Sequence, residues 1–202
     1  DGRVKEYASA AVAADQVQID AIQDRLRKET KTATLLNAGE ISGAFNFPIS
    51  IQTRYVFTDV TVDNFTISIN RIINEPQTYQ FRGVICYARN EDEQKKVRSF
   101  IEEAVKQDTY KDITFIDASA NIMGFDRFDR YIDVAAQEEY WRPKDNKLAD
   151  DKLKNKVELL GEWKTILENG SFVVYKSASV KMPCGSMKLL NDVLADLVLK
   201  VH

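Results

Sequence analysis
The sequence predicts an α/β (or α+β) domain on one mixed sheet, with an antiparallel hairpin, a βαβ unit and helices packed on it. Three patterns carry that expectation. Arg54–Val62 and Phe65–Ile73 are rich in β-branched and aromatic residues. An apolar run, Val84–Ala88, is followed by a helical pattern and then by the strand-like Asp112–Asp117. Beyond Gly124, apolar residues recur at helical spacing.

Residues 3–31 read as an Ala-rich helix with a thin apolar stripe at Val12, Val17, Ile19, Ile22 and Leu26. Residues 32–48, with Asn37, Gly39, Gly43 and Pro48, read as a connection. In Phe65–Ile73, Phe65, Ile67 and Ile69 alternate with Thr66, Ser68 and Asn70, the period of a half-buried strand. Asp63-Asn64 between the two runs suits a two-residue hairpin turn. Residues 79–88 form the next expected strand, and its continuous apolar end suggests burial on both faces.

Asn90 with Glu93 three residues on resembles a capping box, opening a helix over about 91–107 whose acidic first turn suits the helix dipole. With the strand at 112–117 this closes a parallel βαβ unit. Residues 125–141 read as a helix anchored by Phe125, Phe128, Tyr131 and Tyr140, stopped at Arg142-Pro143. A further helix runs to about Glu168 and ends at Asn169-Gly170. Phe172–Tyr175 reads as a short strand and 187–201 as a helix capped by Ser186. The domain division expected from this order is an N-terminal helix over 1–34 and an α/β domain over 35–202.

The 202 residues carry a formal net charge of −3, so no global positive field draws the chain to nucleic acid. No apolar run has the length of a membrane span, and no membrane partner is expected. Cys86 and Cys184 are isolated and form no metal pattern, and a reducing, cytoplasmic setting is the expectation. Cys86 reads as a buried small hydrophobe; Cys184 reads as a structural loop cysteine, with a pKa lowered by the following helix as the sharper alternative. The chain starts Asp1-Gly2-Arg3 and stops at His202 after an apolar helical run. It is therefore expected to be a segment of a longer polypeptide, the alternative being a whole protein trimmed at its front.

Chemistry-bearing motifs are few. The glycines match neither the phosphate-loop nor the dinucleotide fingerprint, and no cofactor is expected. His202, the one histidine, is the last residue, which argues against an imidazole-based triad or metal centre. No catalytic residue is assigned. Asp117 ends an expected parallel strand, and with Asp126 and Asp129 it makes the one carboxylate set that could hold Mg²⁺ in a hydrolase or nuclease. Helix capping and surface charge explain the same aspartates more simply. Residues 142–156 hold six Lys or Arg against three Asp, with aromatics at their edge. Tyr140, Trp141, Arg142, Lys144 and Lys147 are thus the candidate binding residues, suited to phosphate contact and base stacking. A solvated helix face of mixed charge is the plainer reading of that stretch.

Leu35 to the end resembles an internal segment of the large P-loop ATPases of bacterial phage-defence systems, the BREX ATPase family. The features similar in order are Phe45-Asn46-Phe47-Pro48 before the strand pair and Arg89-Asn90-Glu91-Asp92-Glu93 after an apolar strand. Further on come Phe128, Tyr131, Ile132 and Ala135, then Tyr140-Trp141 before Lys144-Asp145, and Trp163 before Phe172-Val173-Val174-Tyr175, with a closing helix over Leu189–Val201. The resemblance implies a non-catalytic accessory or regulatory module beside the ATPase. Its partners would be the rest of a longer chain or other subunits, with DNA as a possible further partner. The family's nucleotide site does not carry over, because the phosphate-loop motif is not in this sequence.

Overall fold
The computed structural model describes residues 2–29, 55–60, 62–74, 81–122 and 125–199. The expected connection at 32–48 lies outside them. The chain divides into two compact units. One is helical and combines Asp1–Lys31 with Phe125–Glu162; the other is α/β and combines Thr32–Gly124 with Trp163–His202.

In the α/β unit, strands β1 (Tyr55–Val60), β2 (Phe81–Cys86), β3 (Ile113–Asp117), β4 (Phe172–Ser177) and β5 (Val180–Cys184) form one sheet in that order. β1, β2 and β3 are mutually parallel, while β4 is antiparallel to β3 and β5 to β4. The mixed sheet of the expectation is present. Its antiparallel hairpin is β4–β5, however, not the pair expected at 54–73.

Phe65–Asn74 is a helix, α2, where a strand was expected. The buried residues Phe65, Ser68, Ile69 and Ile72 fall at helical spacing. Ile67, which a strand would bury beside Phe65 and Ile69, is 63% exposed. The apparent alternation was a coincidence of two periods, and packing overrode the β-branched propensity. Asp63-Asn64 is accordingly no hairpin turn, and Ser68 N–H donates to the Asn64 carbonyl as a first helical bond (3.0 Å). A second βαβ unit results.

α3 (Glu91–Ala104) crosses from β2 to β3. Asn90 is its N-cap, and its side chain accepts from Glu93 N–H at 2.9 Å, as the sequence motif predicts. A single core joins both crossover helices to one sheet face: Phe65, Ile69 and Ile72 of α2, Val97, Ile101 and Ala104 of α3, and Val60, Val84, Cys86, Ile113, Phe115 and Tyr175 of the strands. Burial of side chains this size contributes roughly 1.5–3 kcal/mol each. α6 (Met187–Leu199) packs on β4 and β5 with Leu190 and Leu194 fully buried, and Leu189 N–H donates to the capping Ser186 hydroxyl (3.2 Å). Cys184 is the buried last residue of β5 and not in a loop. Burial pushes its thiol pKa up, opposite to the activated alternative.

In the helical unit, α1 (Gly2–Glu29) lies antiparallel to α4 (Phe125–Trp141). Side-chain links join the two helices: the Tyr140 hydroxyl with Asp15, Gln23 Nε2 to Asp133 Oδ1 (2.7 Å), Arg25 with Glu139, and Arg27 to Asp129 (2.5 Å). The seam between them holds Ile19, Ala136 and Tyr140, flanked by Ile22, Leu26 and Trp141. α5 (Asn146–Glu168) follows Pro143 and carries the chain into the α/β unit.

Candidate functional site at the strand ends
Parallel strands align their carboxyl ends, and α/β proteins place ligands along that edge. Here the edge carries Asp63 and Asn64 after β1, Arg89 and Asn90 after β2, and Asp117 and Ser119 at the end of β3. Tyr87 N–H to the Val60 carbonyl and Ala118 N–H to the Cys86 carbonyl, both 2.9 Å, extend the ladder past the strands and hold these segments in place.

The Arg89 guanidinium organises the edge. Its Nε donates to both Glu93 oxygens, at 2.8 and 3.0 Å, and its Nη2 reaches Glu93 Oε1 and Asp63 Oδ2, the latter at 2.7 Å. Arg89 N–H also donates to Glu93 Oε2 (2.8 Å). Glu93 thus turns back one residue further than a capping box requires. Burial works against the Arg89 charge, but Glu93 and Asp63 outweigh it and raise its pKa. Spacing alone points to the i,i+4 pair Arg89–Glu93; Asp63, 26 residues upstream, is supplied by the fold.

Asp117 is buried. Its Oδ1 accepts from Ser119 N–H (2.9 Å) and from the Ser119 hydroxyl, and its Oδ2 meets Arg98 Nε of α3 at 3.4 Å. Cys86 is its partner across the β2–β3 ladder. Burial first, and then the Asp117 charge, push the Cys86 thiol well above its usual pKa and keep it un-ionised. Tyr175 is raised for the same two reasons, with Arg98 opposing.

The topology limits what this edge can enclose. A ligand crevice opens where strand order reverses and successive helices take opposite faces. β1, β2 and β3 follow one another without reversal, and α2 and α3 share one core.

The candidate binding residues lie in the helical unit. Tyr140 is 5% exposed, stands edge-on to Trp141 at 5.0 Å between ring centroids, and has Lys144 Nζ over its ring at 3.5 Å. Trp141 is half-buried in the seam with α1. Arg142 pairs with Glu138 (2.9 Å) and Asp150 (2.6 Å). Lys144 and Lys147 are exposed. Tyr140 and the half-buried Trp141 therefore pack against α1, with the exposed Lys144 and Lys147 beside them in sequence.

Of the carboxylates weighed as metal ligands, Asp117 is held in the α/β unit by Ser119 and Arg98, and Asp129 in the helical unit by Arg27. The side chain of Asp126 lies outside the described residues. Among the described residues, no three His, Cys, Asp or Glu side chains are grouped to hold a metal ion, and no helix is long and apolar enough to cross a membrane.

Comparison with known proteins finds no matching family model, no matching curated protein and no matching solved structure.

Proposed function
We propose that this chain is a non-catalytic accessory and regulatory module of a larger bacterial ATPase, of the phage-defence kind, working by protein or DNA contacts. The family and the cellular role rest on the sequence resemblance described above. One observation carries the non-catalytic part. Among the described residues at the strand ends, Arg89 is forked onto Glu93 and Asp63, and Asp117 is held by Ser119 and Arg98. Groups engaged in this way hold loops and helix ends in place. A general base or nucleophile has to be within reach of a substrate proton or carbon.

The test uses the purified chain. It hydrolyses no ATP and nicks no DNA with Mg²⁺; turnover of either that survives further purification ends this reading. A gel shift at low salt that is lost at about 200 mM salt marks a DNA-contacting form, because phosphate contacts release counterions. Absence of any shift at low salt leaves protein contact as the mode of action.

A further inference from the structure
The chain leaves the α/β unit after β3 and returns to it before β4. At that neck Asn121 Nδ2 donates to the Ser171 carbonyl and Asn121 Oδ1 accepts from Ser171 N–H, both at 2.9 Å. The carboxamide copies one rung of an antiparallel ladder between residues 50 apart in sequence. Asn121 N–H is itself fixed to the Ala118 carbonyl (3.1 Å), and Gly170 N–H to the Leu167 carbonyl (3.0 Å). Gly170 leaves room for the contact, since a Cβ there would overlap the Asn121 carboxamide. Just beyond the latch, β4 joins β3 with Asp117 opposite Val173 and Phe115 opposite Tyr175.

Between the two sides of the latch, α4 and most of α5 belong to the helical unit. α5 passes from one unit to the other at residues 161–163, and Gly161 stands there with nothing within 4 Å of where a Cβ would be. Glycine is the weakest helix former after proline, so Gly161 weakens α5 close to the point where it changes unit.

We propose that the Asn121–Ser171 latch holds β4 on β3 independently of the helical excursion, so that the helices of residues 125–162 unfold and refold without the sheet letting go. Closing a 50-residue loop costs chain entropy. The latch places that closure inside the α/β unit, and fraying of α5 back to its glycine does not release β4. This inference does not rest on the accessory-module reading and goes beyond it: a partner is free to remodel the helices while the sheet stays folded.

Hydrogen exchange of the full chain, read by mass spectrometry across a series of mild urea concentrations, tests it. In the unsubstituted chain, amides of α4 and of α5 before Gly161 exchange in an earlier step than those of Phe115–Asp117 and Val173–Tyr175. In Asn121→Ala, exchange at Val173–Tyr175 rises at least about tenfold and merges with the helical step. Asn121→Asp, which keeps the acceptor and loses the donor, shows a smaller rise and serves if the alanine variant fails to fold. A single step for all these amides in the unsubstituted chain overturns the proposal, as does an unchanged β4 in both variants.

Discussion

Replacing Arg89 with methionine keeps most of the aliphatic stem and removes the guanidinium. Glu93 then retains Arg89 N–H as a donor and loses its two Nε contacts and its Nη2 contact, and Asp63 loses its bond at 2.7 Å. The side chains of Arg89, Glu93 and Asp63 are 16%, 12% and 29% exposed. Breaking a fully buried ion pair costs about 3–5 kcal/mol, and an exposed one about 0–1. This network lies between those limits, so the expected loss is about 2–3 kcal/mol from the α/β unit. Glu93→Gln, which keeps an acceptor for Arg89 N–H, costs less, about 1–2 kcal/mol. In the double variant the two losses are not additive, because the second change removes a carboxylate that the first left unpaired.

The assay is urea unfolding in a Trp141→Phe background, which leaves Trp163, the tryptophan in the α/β unit, as the fluorophore. With a slope of about 1–3 kcal/mol per molar urea, the midpoint of Arg89→Met falls by about 1–2 M. A fall under about 0.3 M, or strict additivity in the double variant, refutes the view that this network holds the strand edge together.

Other expectations concern single groups. Burial pushes the Glu138 pKa up, but hydrogen bonds from Arg142 (2.9 Å) and Lys156 (3.2 Å) outweigh it and hold it below 4.5. A carboxylate depressed in the folded state stabilises above its unfolded pKa and loses that contribution as pH falls through the folded value. The helical unit therefore weakens below about pH 4.5, and Glu138→Gln flattens that acid limb in circular dichroism melts; an unchanged limb contradicts the assignment. A disulfide-exchange reagent titrates neither Cys86 nor Cys184 in the native chain and both in denaturant, since both are buried with raised pKa; prompt native labelling of Cys86 would show the core opening on that timescale. Gly161→Ala meets no neighbouring atom and adds about 0.5–1 kcal/mol of stability to α5, seen as a higher melting temperature, whereas a loss there would reveal a contact that the alanine methyl disturbs.

Legibility in the sequence tracked how local the deciding physics was. The span Phe125–Trp141 agrees with the sequence reading because Gly124 and Pro143 punctuate both sides. The start of α3 was legible because an N-cap is a contact three residues long. The sequence of α2 misleads because Phe65 and Ile69 fit both periods, and the deciding observation, the exposure of Ile67, exists only in the packed chain. β5 went unseen because its residues are mostly exposed and include Pro183, so it carries no burial pattern. At the candidate site, Arg89–Glu93 was present in the spacing, whereas Asp63 and the Asn121–Ser171 contact join residues 26 and 50 positions apart. The aromatic–basic stretch was read from composition, which does not tell whether Tyr140 faces solvent or the α1 seam.

The α1–α4 seam has a consequence for synthesis. Gln23 finds Asp133 only after 110 further residues have been made. At about 5–20 residues per second a ribosome needs roughly 5–20 s to deliver that partner. Throughout that interval Ile19, Ile22 and Leu26 of the nascent chain have no α4 to cover them. α1 thus stays uncovered until α4 has been made, and it is a segment on which a chaperone at the tunnel exit would act.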